Sequence, residues 1–165
     1  MRAEPFDAFV QSFPQEGAPP SQRTEVRVLY DAHTLYVGIR CHDSRPGEIL
    51  APLGRRDKPP ASDSVQVAID ANLDRRTAAF FMVTAGGVLA DALLFDDDQQ
   101  NFDWDAVWDG ASALLPDGWS AELAIPLSTL RFPEAPMQRW GFGVKREIGR
   151  RHEQMGGDDR KRNRR

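Results

Sequence analysis

The chain has 165 residues, of which 41% are hydrophobic and 28% are charged. This length is enough for one domain with a hydrophobic core, and 13 glycines with 12 prolines indicate many turns. No apolar run approaches the roughly 18 residues that a membrane-spanning helix needs, and the first residues do not have the pattern of a signal peptide. The single cysteine, Cys41, excludes an internal disulfide framework and a zinc site built from several thiolates.

The formal net charge of −4 is unevenly distributed along the chain. Residues 150–165 contain seven arginines and lysines against three acidic residues, so the rest of the chain is more acidic than the whole. An acidic domain repels a phosphate backbone, and the basic segment has no aromatic residue on which a base could stack. We therefore expect no nucleic-acid partner and predict that residues 150–165 form a disordered basic tail.

The predicted elements are strands from residue 24 onward. Residues 1–23 contain four prolines and are predicted to be an extended lead-in. Apolar residues then alternate with a period of two, and turn-like residues separate the runs. Residues 126–130 could form one helical turn, with proline at its first position. The predicted strands cover residues 24–30, 35–41, 65–69, 77–84, 88–95, 106–115, 119–125 and 140–148.

This alternation predicts an all-β fold. Strands with one apolar face bury that face most economically against a second sheet. The expected architecture is an antiparallel β-sandwich of about eight to ten short strands, with immunoglobulin-like or jelly-roll-like layers, over residues 24–149. In residues 77–84, Phe80 and Met82 oppose Phe81 and Val83, so both faces are apolar, as in a central strand.

The search for catalytic residues is negative. The three histidines, His33, His42 and His152, are not spaced as metal ligands, and no nucleophile elbow or P-loop occurs. Gly141 and Gly143, which alternate with apolar residues, are predicted to allow close packing. An acid/base pair of carboxylates would need a geometry that a sequence does not show. We expect that the chain is not an enzyme.

Residues 101–109, N-F-D-W-D-A-V-W-D, form the candidate binding segment. Trp104 and Trp108 flank polar residues, and an indole ring offers a flat surface to the C–H face of a sugar. Asp103 could bond the hydroxyl groups of the same sugar. The alternative is that these tryptophans fill the core or its rim, which we favour for Trp119 and Trp140.

Two further polar clusters lie in predicted loops. Arg55, Arg56 and Asp57 could bond a ligand hydroxyl or carboxylate, or form bridges that only hold the loop in place. The acidic residues near position 100 suggest a structural Ca²⁺ ion, although their spacing is not that of an EF-hand and a solvated acidic loop is the alternative. The candidate metal ligands are Asp96, Asp98 and Asp105.

Several segments, in this order, carry a family resemblance. They are V-R-V-L-Y-D at 26–31, L-Y-V-G-I-R at 35–40, D-S-V-Q-V-A-I-D at 63–70, G-W-S-A-E-L-A-I-P at 118–126 and W-G-F-G-V-K-R at 140–146. Together they resemble the family 9 carbohydrate-binding module over about residues 6–153. The segments R-R-D, W-D-A-V-W and L-R-F-P resemble a subgroup found at the N-terminus of bacterial outer-membrane or secreted proteins, before a long β-rich region.

The resemblance implies a function. Characterised members linked to xylanases bind the ends of glucan or xylan chains between two tryptophans, with polar bonds and structural calcium nearby. It thus implies an oligo- or polysaccharide partner, a link to polysaccharide degradation, and a periplasmic, outer-membrane-associated or secreted location. Gln66 stands where the family commonly has a glutamate. The expected sugar-binding residues are Trp104, Trp108, Arg55, Arg56, Asp57, Gln66 and Asp103.

Two other functions stay open. The domain could be a structural or accessory periplasmic part of an outer-membrane β-barrel protein, with loops that contact protein rather than sugar. Related sandwiches also bind haem through methionine and histidine, and Met82, Met137 and the three histidines are available. Met82 lies in an apolar strand, where filling a gap in the core is the simpler role.

Overall fold

The computed structural model describes residues 4–95 and 99–158, with only the backbone of the last residue. Their eleven strands confirm the predicted all-β class, and the described residues contain three short 3-10 turns but no α-helix. No helix in these ranges is long and apolar enough to cross a membrane. The strands are β1 Val10–Phe13, β2 Thr24–Tyr30, β3 Thr34–His42, β4 Ser64–Asp70, β5 Thr77–Thr84, β6 Leu89–Phe95, β7 Gln99–Asn101, β8 Asp109–Leu115, β9 Gly118–Pro126, β10 Gly141–Ile148 and β11 Glu153–Asp158.

Two antiparallel sheets form the sandwich. The seven-stranded sheet has the order β1-β11-β10-β4-β5-β6-β7, and the four-stranded sheet has the order β2-β3-β9-β8. The predicted helical turn is the 3-10 turn Leu127–Thr129, and two further turns are Pro46–Glu48 and Gly149–Arg151. Because successive side chains of a strand point to opposite faces, each sheet turns one set of side chains toward the other sheet.

The core lies between the sheets and follows the predicted alternation. Val67 on β4 and Phe81 on β5 are fully buried, and Ile39 and Leu123 meet them from the four-stranded sheet. Each such side chain contributes roughly 1.5–3 kcal/mol when it is buried. Burial also raises the pKa of Cys41 to about 12, so that thiol is neutral and serves only for packing.

Three observed strands fall outside the predicted ones. β1 lies in the predicted lead-in, β7 in the predicted acidic loop, and β11 in the predicted disordered tail. The prediction of disorder is therefore wrong for residues 150–158, while residues 159–165 lie outside the described part. β1 and β7 have largely exposed side chains and so lack an apolar alternation. β11 is ordered by its pairing with β10, which a local pattern does not reveal.

A buried arginine joins the two sheets at one end. Arg146 on β10 is fully buried, and its Nη1 atom donates to the carbonyl oxygen of Arg23 at 3.0 Å and to Thr24 Oγ1 at 3.2 Å. Its Nη2 atom donates to the carbonyl oxygen of His42 at 2.9 Å. These acceptors belong to the ends of β2 and β3, so one guanidinium holds both strands against β10.

The carboxylate of Asp43 lies between this buried charge and a second cation, Arg150, and offsets part of both charges. Arg150 donates from both terminal nitrogens to Asp43, at 2.8 and 2.9 Å, and Nη2 of Arg146 lies 3.9 Å from the same carboxylate. Burial acts to raise the pKa of Asp43, but the hydrogen bonds from Arg150 and from the backbone N–H of Arg45 outweigh it, so the pKa is lowered. Asp43 is therefore a buried carboxylate that stays ionised.

Asp63 is buried nearby, and its pKa is shifted in the opposite direction. Its Oδ1 atom accepts hydrogen bonds from the backbone N–H groups of Gly149 at 3.0 Å and Leu50 at 3.2 Å. Its Oδ2 atom is buried without a hydrogen-bond partner in the described part of the chain. Burial raises the pKa of Asp63 and outweighs these two hydrogen bonds.

Replacement of the buried arginine should unfold the domain more easily. Arg146→Met keeps the approximate volume but leaves three acceptors without a donor and Asp43 with one cation fewer. We expect the free energy of unfolding to fall by about 3 kcal/mol, as measured by urea denaturation. Arg45→Met is the matched control, because the side chain of Arg45 forms only an exposed ion pair with Glu48 among the described residues. Equal losses for the two variants would contradict the role of Arg146.

Asp43 and Asp63 should give opposite pH dependences. The lowered pKa of Asp43 stabilises the fold above its ordinary value of 3.8, and this contribution is lost as the pH falls. The raised pKa of Asp63 makes its contribution most favourable below 3.8 and weaker as the pH rises. As the pH rises from about 3 to about 7, the stability of Asp43→Asn should therefore fall relative to that of the unmodified protein, and the stability of Asp63→Asn should rise relative to it. Urea denaturation across this range measures both, and parallel trends would contradict the assignment.

Candidate functional site

A groove crosses the outer face of the seven-stranded sheet. It has a volume of about 560 Å³, and residues next to or within all seven strands line it. This volume is within the range of about 300–1,000 Å³ that is usual for ligand sites. The small lining residues are Ala8, Ala68, Gly143, Gly156 and Gly157, the larger apolar ones are Val10, Phe80, Leu94 and the backbone of Val144, and the polar ones are Gln66, Gln100 and Lys145.

The groove results from small residues placed side by side on neighbouring strands. Gly143 on β10 pairs with Ala68 on β4, and Ala68 pairs with Phe80 on β5. A Cβ atom added at Gly143 would meet nothing within 4 Å, so the floor is open there and the predicted close packing is wrong for this glycine. It is confirmed for Gly141, where an added Cβ would lie 3.1 Å from Asp70 Cβ. The ring of Phe80 therefore borders a low floor of glycine and alanine.

The polar groups of the groove lie at two places. Lys145 and Gln66 are directly opposite each other on β10 and β4, and both are half-buried. Gln100 lies on β7 at the edge of the sheet and is exposed. Two amides and one ammonium group can donate and accept hydrogen bonds around a ligand, while Phe80 offers an apolar surface. This combination suits a molecule with hydroxyl groups at its rim and C–H groups on its face.

Trp108 does not lie in the groove but in the core. It is 4% exposed, its ring meets the edge of Phe81 with centroids 5.2 Å apart, and its Nε1 donates to Asp91 Oδ2 at 2.9 Å. Its ring faces are therefore closed to a sugar, and the prediction of an exposed stacking surface is wrong for Trp108. The physical reason is the buried carboxylate of Asp91, which gives the indole N–H an acceptor inside the sandwich.

Asp91 also contacts two other predicted site residues, Arg56 through its carboxylate and Asp57 through its backbone N–H. Arg56 Nη2 donates to Asp91 Oδ2 at 3.1 Å and to the carbonyl oxygen of Ala106 at 3.1 Å. Its guanidinium carbon lies 5.7 Å from the ring centroid of Trp108. Asp57 Oδ1 accepts a hydrogen bond from the backbone N–H of Asp91 at 3.1 Å. The alternative that this loop is held in place by bridges is thus the observed arrangement, with Asp91 as the partner that the sequence did not suggest.

The remaining predicted residues are dispersed. Trp104 is half-buried and packs edge-on against Phe81 with centroids 6.0 Å apart, while Asp103 and Arg55 are exposed. Trp119 is fully buried, as predicted, and Trp140 is half-buried against Phe132. Gln66 is the predicted binding residue that the groove contains.

The predicted calcium ligands are only partly described. Asp96 and Asp98 lie outside the described residues, and Asp105 is exposed. Residues 4–95 and 99–158 contain no group of three or more His, Cys, Asp or Glu side chains that could hold a metal ion. The calcium site stays a prediction.

Sequence reasoning missed Phe80, Gly143, Gln100 and Lys145 as residues of one site. A signal for the first was the apolar outer face of β5, where Phe80 and Met82 alternate with the buried Phe81. A second signal was G-F-G-V-K at 141–145, which places two glycines and a lysine on the same face of β10. Glycines on one face of a strand, close to a strand that carries large apolar side chains on the same face of the sheet, indicate a groove in that face.

Comparisons with known proteins show which fold this is. No protein-family model and no curated protein matches the chain. A family 9 carbohydrate-binding module from Caldicellulosiruptor kristjanssonii, solved with cellotriose, is 18% identical with a TM-score of 0.63, over 94% of this chain and 72% of that chain. The same kind of module from that organism, solved with glucose, is 19% identical with a TM-score of 0.65, over 93% of this chain and 73% of that chain.

A third solved structure agrees with these two. A putative carbohydrate-binding protein from Bacteroides uniformis is 9% identical, with a TM-score of 0.71 over 95% of this chain and 77% of that chain. The chain therefore has the fold of the family 9 carbohydrate-binding modules, as the sequence segments predicted. At these identities the likeness establishes the fold, and the ligand has to be argued from the groove.

Loss of the Asp91 carboxylate should release the segment that carries Trp104 and Trp108. Asp91→Ala leaves the indole N–H of Trp108 and the guanidinium of Arg56 without their common acceptor. We expect the free energy of unfolding to fall by about 2–4 kcal/mol. We also expect acrylamide to quench the tryptophan fluorescence more strongly, because the indole rings become more accessible. Asp105→Ala, at an exposed position in the same region, is the control and should change neither quantity. Unchanged quenching in Asp91→Ala would contradict this anchoring role.

Proposed function

We propose that this protein is a non-catalytic carbohydrate-binding module that holds a saccharide in the groove on its seven-stranded sheet. The observation that carries the proposal is a hollow of about 560 Å³ with an aromatic ring, two amides and one ammonium group on a sandwich of this fold. The modules from Caldicellulosiruptor kristjanssonii, which share the fold, were solved with cellotriose and with glucose. Their ligands support the choice of a sugar here.

The chemistry of the groove fits a pyranose ring. Phe80 offers an apolar surface to the C–H face of the sugar, and the glycine and alanine floor lets the ring approach the sheet. Gln66, Lys145 and Gln100 can bond the hydroxyl groups at the rim of the ring. Each such hydrogen bond contributes about 0.5–1.5 kcal/mol net, so a few of them give modest affinity and shallow specificity.

The groove favours binding over catalysis. Glycoside hydrolysis usually requires two carboxyl groups, one on each side of the scissile bond. The described lining residues contain no aspartate, glutamate, histidine, serine or cysteine. They therefore provide neither a general acid nor a nucleophile, which supports a module that binds a sugar without reacting with it. A link to polysaccharide degradation and an exported location stay predictions from the family resemblance.

Trp104 is the other surface on which a sugar could stack. Its half-buried ring leaves less free area than an exposed loop residue would, since one side meets Phe81. Stacking on Trp104 stays a prediction from the sequence, and the groove is the site that we favour. The two surfaces contain different residues, so single substitutions can separate them.

Filling the floor of the groove should block binding without harm to the fold. Gly143→Leu places a side chain into open space above the sheet, because an added Cβ meets nothing within 4 Å. For any oligosaccharide that the unmodified protein binds, we expect the affinity to fall at least tenfold, which is about 1.4 kcal/mol. Isothermal titration with cellotriose and a panel of other neutral and acidic oligosaccharides measures this effect.

Gly38→Leu is the matched control for this test. Gly38 lies on β3 of the four-stranded sheet, where an added Cβ also meets nothing within 4 Å. This variant and Trp104→Ala should bind as the unmodified protein does. Binding that survives Gly143→Leu but is lost in Trp104→Ala would move the site to Trp104. A folded protein that binds no member of the panel would refute the proposed function.

A further inference from the structure

We propose that the groove selects an acidic saccharide and that Lys145 binds the carboxylate of a uronic acid residue. This inference rests on the proposed function and specifies its ligand. A uronic acid is a pyranose with a carboxylate on the carbon next to the ring oxygen. Its ring has the same C–H face and hydroxyl rim as a neutral sugar, so the carboxylate is the chemical difference that the groove would recognise.

The position of Lys145 carries the argument. It lies on β10, between β11 and β4, with Gly156 opposite on one side and Gln66 on the other. Its side chain is half-buried and lines the groove. Gly156 has no side chain and Gln66 carries an amide, so neither residue paired with Lys145 is an acid.

The lysine differs from the other half-buried and buried cations of the fold. Arg40, Arg146 and Arg150 each donate to a carboxylate or to backbone carbonyl oxygens of this chain. Lys145, by contrast, has no ion pair and no side-chain hydrogen bond to any residue that the structure describes. A cation that loses part of its water without gaining an acceptor is unfavourable, and a ligand carboxylate would supply that acceptor.

The surroundings of Lys145 leave its charge available. The described residues that line the groove include no acidic side chain. Glu147 lies two residues further along β10 and forms no ion pair with Lys145, and Asp158 on β11 pairs in register with Gly143, two residues before Lys145. Although the chain as a whole is acidic, Lys145 is the one charged side chain among the described residues that line the groove. A charged pair in such partly desolvated surroundings is screened less than one in bulk water.

The neighbours of Lys145 also set the orientation of the sugar. Gln66, directly opposite, can donate its amide N–H to the second carboxylate oxygen. The row formed by Gly143, Ala68 and Phe80 lies two residues away along the strands and would receive the face of the ring. The carboxylate and the ring face thus have separate places at a distance that one sugar residue can span.

The test compares acidic oligosaccharides with their neutral methyl esters. We would titrate the full chain with the trimers of glucuronate, galacturonate and mannuronate, and with the methyl ester of each, by isothermal titration calorimetry. We expect at least one acid to bind about tenfold or more tightly than its ester. This preference should weaken as the salt concentration rises from about 0.05 M to about 0.5 M.

Substitutions assign the preference to the lysine. Lys145→Gln should remove the difference between acid and ester, because the glutamine amide carries no charge, and Lys145→Arg should retain most of the difference. Lys58→Gln, at an exposed position outside the groove, is the control and should behave as the unmodified protein does. Thermal melting checks that each variant is folded.

The outcomes separate this inference from the proposed function. If the unmodified protein binds acids and esters equally, selection of an acidic sugar is overturned while saccharide binding stands. If Lys145→Gln keeps the preference for acids, the carboxylate is bound elsewhere and the assignment to Lys145 is overturned. If the folded protein binds neither the acids, nor the esters, nor neutral oligosaccharides, the proposed function itself fails.

Discussion

The fold depends on the buried guanidinium of Arg146 and its acceptors at the ends of β2 and β3. Removal of such a cation from its partners is strongly unfavourable, so β10 is held in one register against its neighbours. A shift by one residue would exchange the two faces of the strand. It would turn Arg146 to solvent and Lys145 into the core. The interaction that closes the sandwich therefore also places the lysine of the groove.

The two faces of the seven-stranded sheet differ in the size of their side chains. The inner face carries large apolar residues and closes the core against the four-stranded sheet. On the outer face, Gly143, Ala68 and Gly156 are too small to fill the surface, and a groove remains between larger neighbours. Asp91 draws Trp108 inward, so Phe80 replaces the tryptophans as the aromatic surface at the groove. The groove that we propose as the ligand site therefore lies on the face of the sheet and not in the loops.

Features of the fold that depend on neighbouring residues can be predicted from the sequence, whereas features that depend on distant residues cannot. Strands β3, β4, β5, β9 and β10 bury one face and show it as alternation, so local residues predict them. β11 owes its order to pairing with β10, and its two glycines hide the pattern. The family resemblance predicts Gln66 in the site, and the groove contains it. The prediction that Trp108 is an exposed binding residue is wrong because its acceptor, Asp91, lies on β6, far from Trp108 in sequence.

Local residue patterns are enough to predict the class of fold, most of the strands and the likeness to family 9 carbohydrate-binding modules. These depend on alternation and turn residues, which act over a few positions along the chain. Contacts between strands that are distant in sequence determine which indoles are buried, which face of the sheet stays open, and which charges find a partner. Arg56 meets Asp91, and Arg150 meets Asp43, across long stretches of sequence, while Lys145 meets no such acid in the part of the chain that the structure describes. Exposure and charge pairing arise between strands, so no single segment contains them.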